Sequence, residues 1–326
     1  MIKQISKRFK LMGTVIDLSI TATNPSDIIR LSEKILKEYE QRFSAHSSTS
    51  ELTAINTNAG HRPQQVHPDL FELISIGKTH SLAEDSGLNI ALGSVIRQWR
   101  IGFQDARKPS SDAIKKALAL TNPHQIRLDE TKQTVFLAQK GMALDLGALA
   151  KGYSADKLKA FYQKNEVTSA VINLGGNVLL YGDNPNSNDG SWRVGIRNPY
   201  HKEGTDSLVL KLKACSIVTS GIYERQSRIA GKSYHHLIDR RTGYSLKTDM
   251  VSLTIISNDS LTGEIWTSRL YGKSPKEILA VVDALEGIEV IILTTNKELY
   301  LSNGLKNKLI YQDPELKQIE NKEVSH

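Results

Sequence analysis

Cysteine is nearly absent from the chain: Cys215 stands alone among 326 residues, which excludes an intrachain disulfide and any cysteine-rich metal centre. It sits in the apolar run LKLKACSIVTSG and reads as a small buried hydrophobe. No apolar stretch approaches the roughly 20 residues of a membrane span. The basic N-terminus, MIKQISKRFKLMGT, leads into no apolar segment and no cleavage pattern. The chain as given therefore reads as cytoplasmic, with no visible membrane anchor. Aromatic residues make up only 6%, and no long Lys/Arg run interleaves with them. The net charge of +7 is thus diffuse, which suits a small anionic ligand and argues against nucleic acid. Zinc-ligand spacing, a Walker A loop and a GxSxG elbow are also missing.

What is present is an ordinary globular pattern of helices and strands. Residues 14–22 alternate as a strand, and 26–45 follow helical spacing through Ile28, Leu31, Ile35, Tyr39 and Phe43. Further helices are expected over 67–86, 110–121, 147–165 and 274–286. The last has Ser274 as cap, Pro275 at its first position and Gly287 past its end. A hairpin is expected around 126–128 and 134–138. Strands are expected at 169–174, 177–182, 192–198, 207–213 and 251–257, with three more after residue 287. The mixture predicts an α+β fold rather than a doubly wound sheet. No short repeat or low-complexity linker marks a boundary, so residues 1–312 read as one domain and 313–326 as a polar C-terminal tail.

Five segments carry more Gly, Asp, His and hydroxyl residues than loops require. In ALDLGALAKGYSADKL, Asp145 precedes a helix start with Lys151, a place suited to phosphate. A capping Asp in a plain strand-to-helix turn is the other reading. Gly175-Gly176 in INLGGN permits a tight turn or the close approach of a ligand. Thr219 and Ser220 end a buried strand with hydroxyls that either bind phosphate or cap a reversal. In YHHLIDRRTGYSL, a His close to Asp239 is a candidate base or a structural residue. In TGEIWTSRL, Glu264 and Ser268 share a face if the segment is helical. They would then offer hard oxygen ligands to Mg²⁺ or face solvent.

In their shared order, these segments resemble the ApbE family of FAD:protein FMN transferases, from about Leu11 to about Gly272. LMGT, SELTAIN, ALGSVIRQW, DLGALAKGYSAD, INLGGN, TSGIYER, HHLIDRRTGYSL and TGEIWTS carry the likeness. The resemblance implies an ApbE-like, T-fold-type architecture of two related, intimately packed α/β halves with FAD between them. It implies transfer of FMN from FAD to a Ser/Thr hydroxyl of a target flavoprotein, with AMP released and Mg²⁺ required. The target would carry a short Asp-, Gly/Ser- and Thr-containing motif, as on a fumarate-reductase-type subunit.

Carried onto this sequence, the resemblance puts Met12, His46, Gly87, Leu88, Asn89, Asp145, Lys151, Gly175, Gly176, Thr219 and Ser220 around the cofactor. It makes His236 the base, oriented by Asp239, and makes the Ala148 carbonyl, Glu264 and Ser268 the magnesium ligands. The chain departs from the family pattern at several of these places. Glu264 and Ser268 stand where Asp and Thr are usual, Asn89 where Asp is, Arg240 where Pro is, and His46 where an aromatic residue often is. Two other readings use the same residues: an FAD pyrophosphatase giving FMN and AMP, and a flavin-binding protein with lost or altered catalysis.

Overall fold

The computed structural model describes residues 2–201 and 204–320. The N-terminal hairpin is β1 (Lys3–Leu11) and β2 (Thr14–Ala22), in register from Lys3 opposite Ala22 to Leu11 opposite Thr14. β2 realises its alternation by burying Ile16, Leu18, Ile20 and Ala22. β1 was not expected from the sequence. Ile5, Phe9 and Leu11 pack against the core, while Lys3, Lys7, Arg8 and Lys10 give the outermost strand a charged edge that discourages pairing with another chain.

The chain continues through α1 (Pro25–Phe43), α2 (Glu51–Thr57), β3 (Gln64–Gln65), α3 (Pro68–Leu82), α4 (Gly93–Trp99) and α5 (Ser111–Leu118). The hairpin β4 (Ile126–Asp129) and β5 (Thr134–Leu137) leads to α6 (Ala150–Lys164). Next come β6 (Ser169–Leu174), β7 (Asn177–Gly182), β8 (Trp192–Arg197), β9 (Asp206–Leu212), β10 (Ser216–Gly221), β11 (Gln226–Ile229), β12 (Lys232–His235) and β13 (Met250–Ser257). The last part is α7 (Ser260–Leu270), α8 (Pro275–Asp283), β14 (Glu289–Thr294), β15 (Glu298–Leu301), β16 (Leu309–Gln312) and β17 (Lys317–Gln318). α8 starts as its sequence requires, with a capping box between Ser274 and Glu277 and Pro275 in the first turn.

One sheet runs β1-β2-β6-β7-β10-β13-β14-β15-β17 through the described residues. Every neighbouring pair is antiparallel except β15 and β17, so the fold is α+β as expected. Both faces of the sheet are covered. Val290 and Ile292 of β14 join α8 in one core, while Ile291 and Leu293 pack with β8 and β9 in another. α1 and α6 bury Ile28, Leu36, Leu158 and Tyr162 against β2 and β6. No helix among the described residues is long and apolar enough to cross a membrane.

The first part of the polar tail is tied to the fold. Asp313 accepts a hydrogen bond from Asn198 Nδ2 at 2.6 Å, Leu316 is buried, and β17 extends the sheet. A single apolar anchor and backbone pairing hold a stretch whose composition alone looks unstructured. Residues 321–326 lie outside the described residues.

Candidate active site

The site grows from the contact of α6 with α7. Gly152 makes that contact possible: a Cβ there would lie 2.6 Å from the Ser260 carbonyl and 2.7 Å from Glu264 Cγ. Asp156, one turn further along α6, accepts from the Ser260 and Leu261 N–H groups, both at 2.8 Å, and so caps the start of α7. Burial raises the Asp156 pKa to about 6 against the opposing pull of those two N–H donors. The close approach brings Lys151 Nζ within 3.4 Å of Glu264 Oε1. Glu264 is buried at 4% exposure and also accepts from Asn177 Nδ2 at 2.9 Å. Asn177, wholly buried, is fixed in turn by the Ser260 hydroxyl at 2.5 Å. α6 begins without a side-chain cap, which leaves its positive end beside Lys151.

Asn177 follows the Gly175-Gly176 turn, where both glycines have positive φ, 68° and 85°. A Cβ on Gly175 would fall 1.9 Å from Thr14 Oγ1, so this turn lies directly against the β1–β2 turn that holds Met12. Met12 is itself at φ 53°, its N–H donating to Glu40 Oε1 at 2.6 Å. The Gly176 carbonyl accepts from the Thr219 N–H at 3.0 Å. The Thr219 hydroxyl pairs with that of Thr254 at 2.8 Å, whereas the Ser220 hydroxyl meets no protein partner among the described residues.

Two residues that the sequence reading passed over complete this wall. Glu224 Oε1 lies 3.2 Å from where a Gly176 Cβ would be. It is solvent-accessible, yet enough protein surrounds its carboxyl to raise its pKa to about 7, with Glu264 adding to the rise and Lys151 opposing it. Arg225 reaches the β1–β2 turn, its Nη2 3.4 Å from a Cβ built on Gly13. The Arg225 carbonyl accepts from His236 Nδ1 at 3.3 Å. That contact assigns the proton to Nδ1 and leaves Nε2 as an acceptor. Burial, then the positive charge of Arg225, push the His236 pKa down to about 4, so the ring is neutral at pH 7.

Asp239 does not orient His236. Its carboxylate accepts from the Arg241 N–H at 2.8 Å, and its backbone bonds Tyr244 and Gly243, so it closes its own turn. This corrects the expected His–Asp pair: the Asp239 carboxylate is engaged in its own turn, and the Arg225 carbonyl takes its place at His236.

His46 contacts Phe103 edge-on at 4.8 Å. Burial lowers its pKa, opposed by Asp145 and reinforced by Arg100, Arg225 and Arg97, so these groups share one neighbourhood. Asp145 holds the loop into α6 by accepting from the Gly147 N–H at 2.9 Å. A second group lies at the far end of α7. Gly87 donates its N–H to the Arg269 carbonyl at 2.9 Å, and a Cβ there would be 2.7 Å from the Ser268 carbonyl. Leu88 is buried. Asn89 is engaged on both sides, donating to the Thr121 carbonyl and accepting from the Ala91 N–H, each at 2.9 Å. The donated bond needs an amide, which an Asp at this position could not supply.

The Glu264 carboxylate, the Ser268 hydroxyl one turn later and the Ala148 carbonyl before α6 are the oxygen donors that the resemblance assigns to Mg²⁺, and all three are hard ligands of the kind that ion takes. No group of three or more His, Cys, Asp or Glu side chains able to hold a metal occurs among the described residues. Oxygen donors that include a single carboxylate suit Mg²⁺ in their chemistry, and such an ion would need further ligands from phosphate or water.

The ApbE family model matches residues 12–292. An FAD:protein FMN transferase of Klebsiella pneumoniae (strain 342) is 38% identical over 293 residues, 90% of each chain. One of Treponema pallidum (strain Nichols) is 31% identical over 325 residues, 94% of this chain and 89% of that one. The ApbE protein of Thermotoga maritima superposes with a TM-score of 0.83 at 23% identity, over 93% of this chain and 98% of that chain. With this agreement over most of its length in sequence and in fold, the chain belongs to the ApbE family.

Proposed function

We propose that the protein transfers FMN from FAD to a Ser or Thr hydroxyl of an acceptor flavoprotein, as the names of its relatives describe for them. One observation supports this reading above the others. A neutral His236, held through Nδ1, stands close enough to Lys151 for the ammonium to help depress its pKa, and Lys151 in turn lies at the uncapped start of α6 against the buried Glu264. A base and an anion site side by side are what hydroxyl attack on a pyrophosphate requires.

In the proposed reaction, the acceptor hydroxyl gives its proton to His236 Nε2, and its oxygen attacks the flavin-side phosphorus. The bond to the bridging oxygen breaks, and AMP departs with the electron pair. Lys151 neutralises charge on the phosphates, and Gly175-Gly176 lets backbone approach the cofactor. Magnesium held by Glu264, Ser268 and the Ala148 carbonyl would supply Lewis-acid neutralisation of the pyrophosphate. The acceptor is a Ser/Thr-containing motif, with a fumarate-reductase-type subunit as the first candidate.

The test is incubation with FAD, MgCl₂ and that acceptor, followed by intact mass and AMP measurement. The expected outcome is one FMN on a Ser or Thr of the acceptor for each AMP released. AMP and free FMN appearing at full rate without acceptor would replace this reading with a pyrophosphatase. FAD bound with no AMP released would replace it with a binding protein.

A further inference from the structure

The side chain of Arg240 performs a task that the site's chemistry does not explain. Its Nη1 lies 3.0 Å from the Ser81 carbonyl, 2.9 Å from that of Ser86 and 3.0 Å from that of Leu88. Ser81 is in the last turn of α3, where carbonyls lack intrahelical partners and carry the negative end of the helix dipole. α3 ends at an extended Ala83, with no glycine to close it. The loop that follows bends through Asp85 at φ 50° and seats Gly87 on the end of α7. Arg240 makes no ion pair with a carboxylate among the described residues. Carbonyl dipoles alone therefore balance its partly buried charge.

The turn that carries Arg240 is fixed independently of the guanidinium. The Asp239 carboxylate holds the Arg241 N–H, and Trp99 Nε1 donates to the Gly243 carbonyl at 2.8 Å. A rigid turn thus projects a cation into a loop that has no cap of its own. We infer that Arg240 is a positioning residue: a tethered cation that shapes residues 83–88, so that Gly87 and Leu88 meet the FAD site and Gly87 packs on the helix bearing Glu264 and Ser268. This rests on the FMN-transfer reading for its effect on FAD. Its effect on the loop does not depend on that reading.

The test compares wild type, Arg240→Ala and Arg240→Lys by hydrogen exchange, FAD affinity and transfer kinetics. Arg240→Ala is expected to speed exchange at 83–88 by about tenfold or more while the central sheet stays protected. It should raise KM for FAD by about tenfold or more, with kcat at saturating FAD within about threefold. Guanidinium ion at low, non-denaturing concentration should recover part of the KM. Arg240→Lys should fall between, because a shorter ammonium cannot reach all three carbonyls. If Arg240→Ala does not fold, the Lys variant decides. Exchange altered at 83–88 with raised KM supports the inference, and exchange altered evenly over the sheet overturns it. Unchanged exchange and KM, or a loss confined to kcat, also overturns it. A wild type that binds no FAD would refute the site reading, and the exchange result would still judge Arg240.

Discussion

The Lys151–Glu264 contact can be taken apart by a double-mutant cycle. The two groups are 3.4 Å apart, with side chains 18% and 5% exposed. At that separation and an effective dielectric of about 20, the gross attraction is about 5 kcal/mol. Desolvation of both charges offsets most of this, leaving a coupling of roughly 1–3 kcal/mol. Glu264→Ala should cost roughly 3–5 kcal/mol, because it strands an ammonium and the Asn177 amide N–H inside the protein. Glu264→Gln keeps a carbonyl oxygen for Asn177 and should cost only about 1–2 kcal/mol. Lys151→Met should cost roughly 1–3 kcal/mol alone but much less in the Glu264→Gln background, where no buried carboxylate is left unmatched. Urea unfolding of the four proteins measures the cycle. A coupling below about 0.5 kcal/mol would refute the claim that α6 and α7 present these charges as one unit.

Four further outcomes follow from the same geometry. His236→Ala should leave FAD binding nearly intact and lower transfer by at least ~10²-fold, measured by acceptor mass. The depressed pKa of His236 means that stability from the neutral ring is complete above its ordinary value of 6.5 and is lost as pH falls toward about 4. Measured in a Glu224→Gln background, which removes the carboxyl that titrates near 7, transfer should accordingly stay level from about pH 8 to 6, where a base with an ordinary histidine pKa would already weaken; a midpoint near 6.5 abolished by His236→Ala would contradict this. Gly175→Ala, with φ +68° and a Cβ 1.9 Å from Thr14 Oγ1, should lose roughly 2–4 kcal/mol in urea unfolding and weaken FAD binding. Asp156→Asn offers one acceptor to the two N–H donors at the start of α7 and should cost about 1–2 kcal/mol, with faster amide exchange at Ser260 and Leu261.

Much of the local structure is legible in the residues. The alternation over 14–22 and 169–174 matches β2 and β6 end for end, and Ser274-Pro275 marks the start of α8. The short helices α2 and α4, seven residues each, carry too few periodic positions to stand out. β1 was obscured by its charges, although Ile5, Phe9 and Leu11 keep the two-residue period. In the site, the glycines and Lys151 were marked by their motifs. Asn177, Glu224 and Arg225 were not, although each stands within or beside a motif already singled out.

The sequence by itself determined the order of segments, the α+β class and the residue types able to handle phosphate and a hard metal ion. It did so because strand period, helix caps and turn glycines are local, and motif order survives without coordinates. Only the tertiary structure decided which of those groups meet. Lys151 and Glu264 touch because Gly152 lets two helices approach; His236 is held by a carbonyl because Asp239 is spent on its own turn. Arg240 reaches carbonyls some 150 positions earlier in the chain. Such pairings depend on packing across the fold, and no spacing along the chain encodes them.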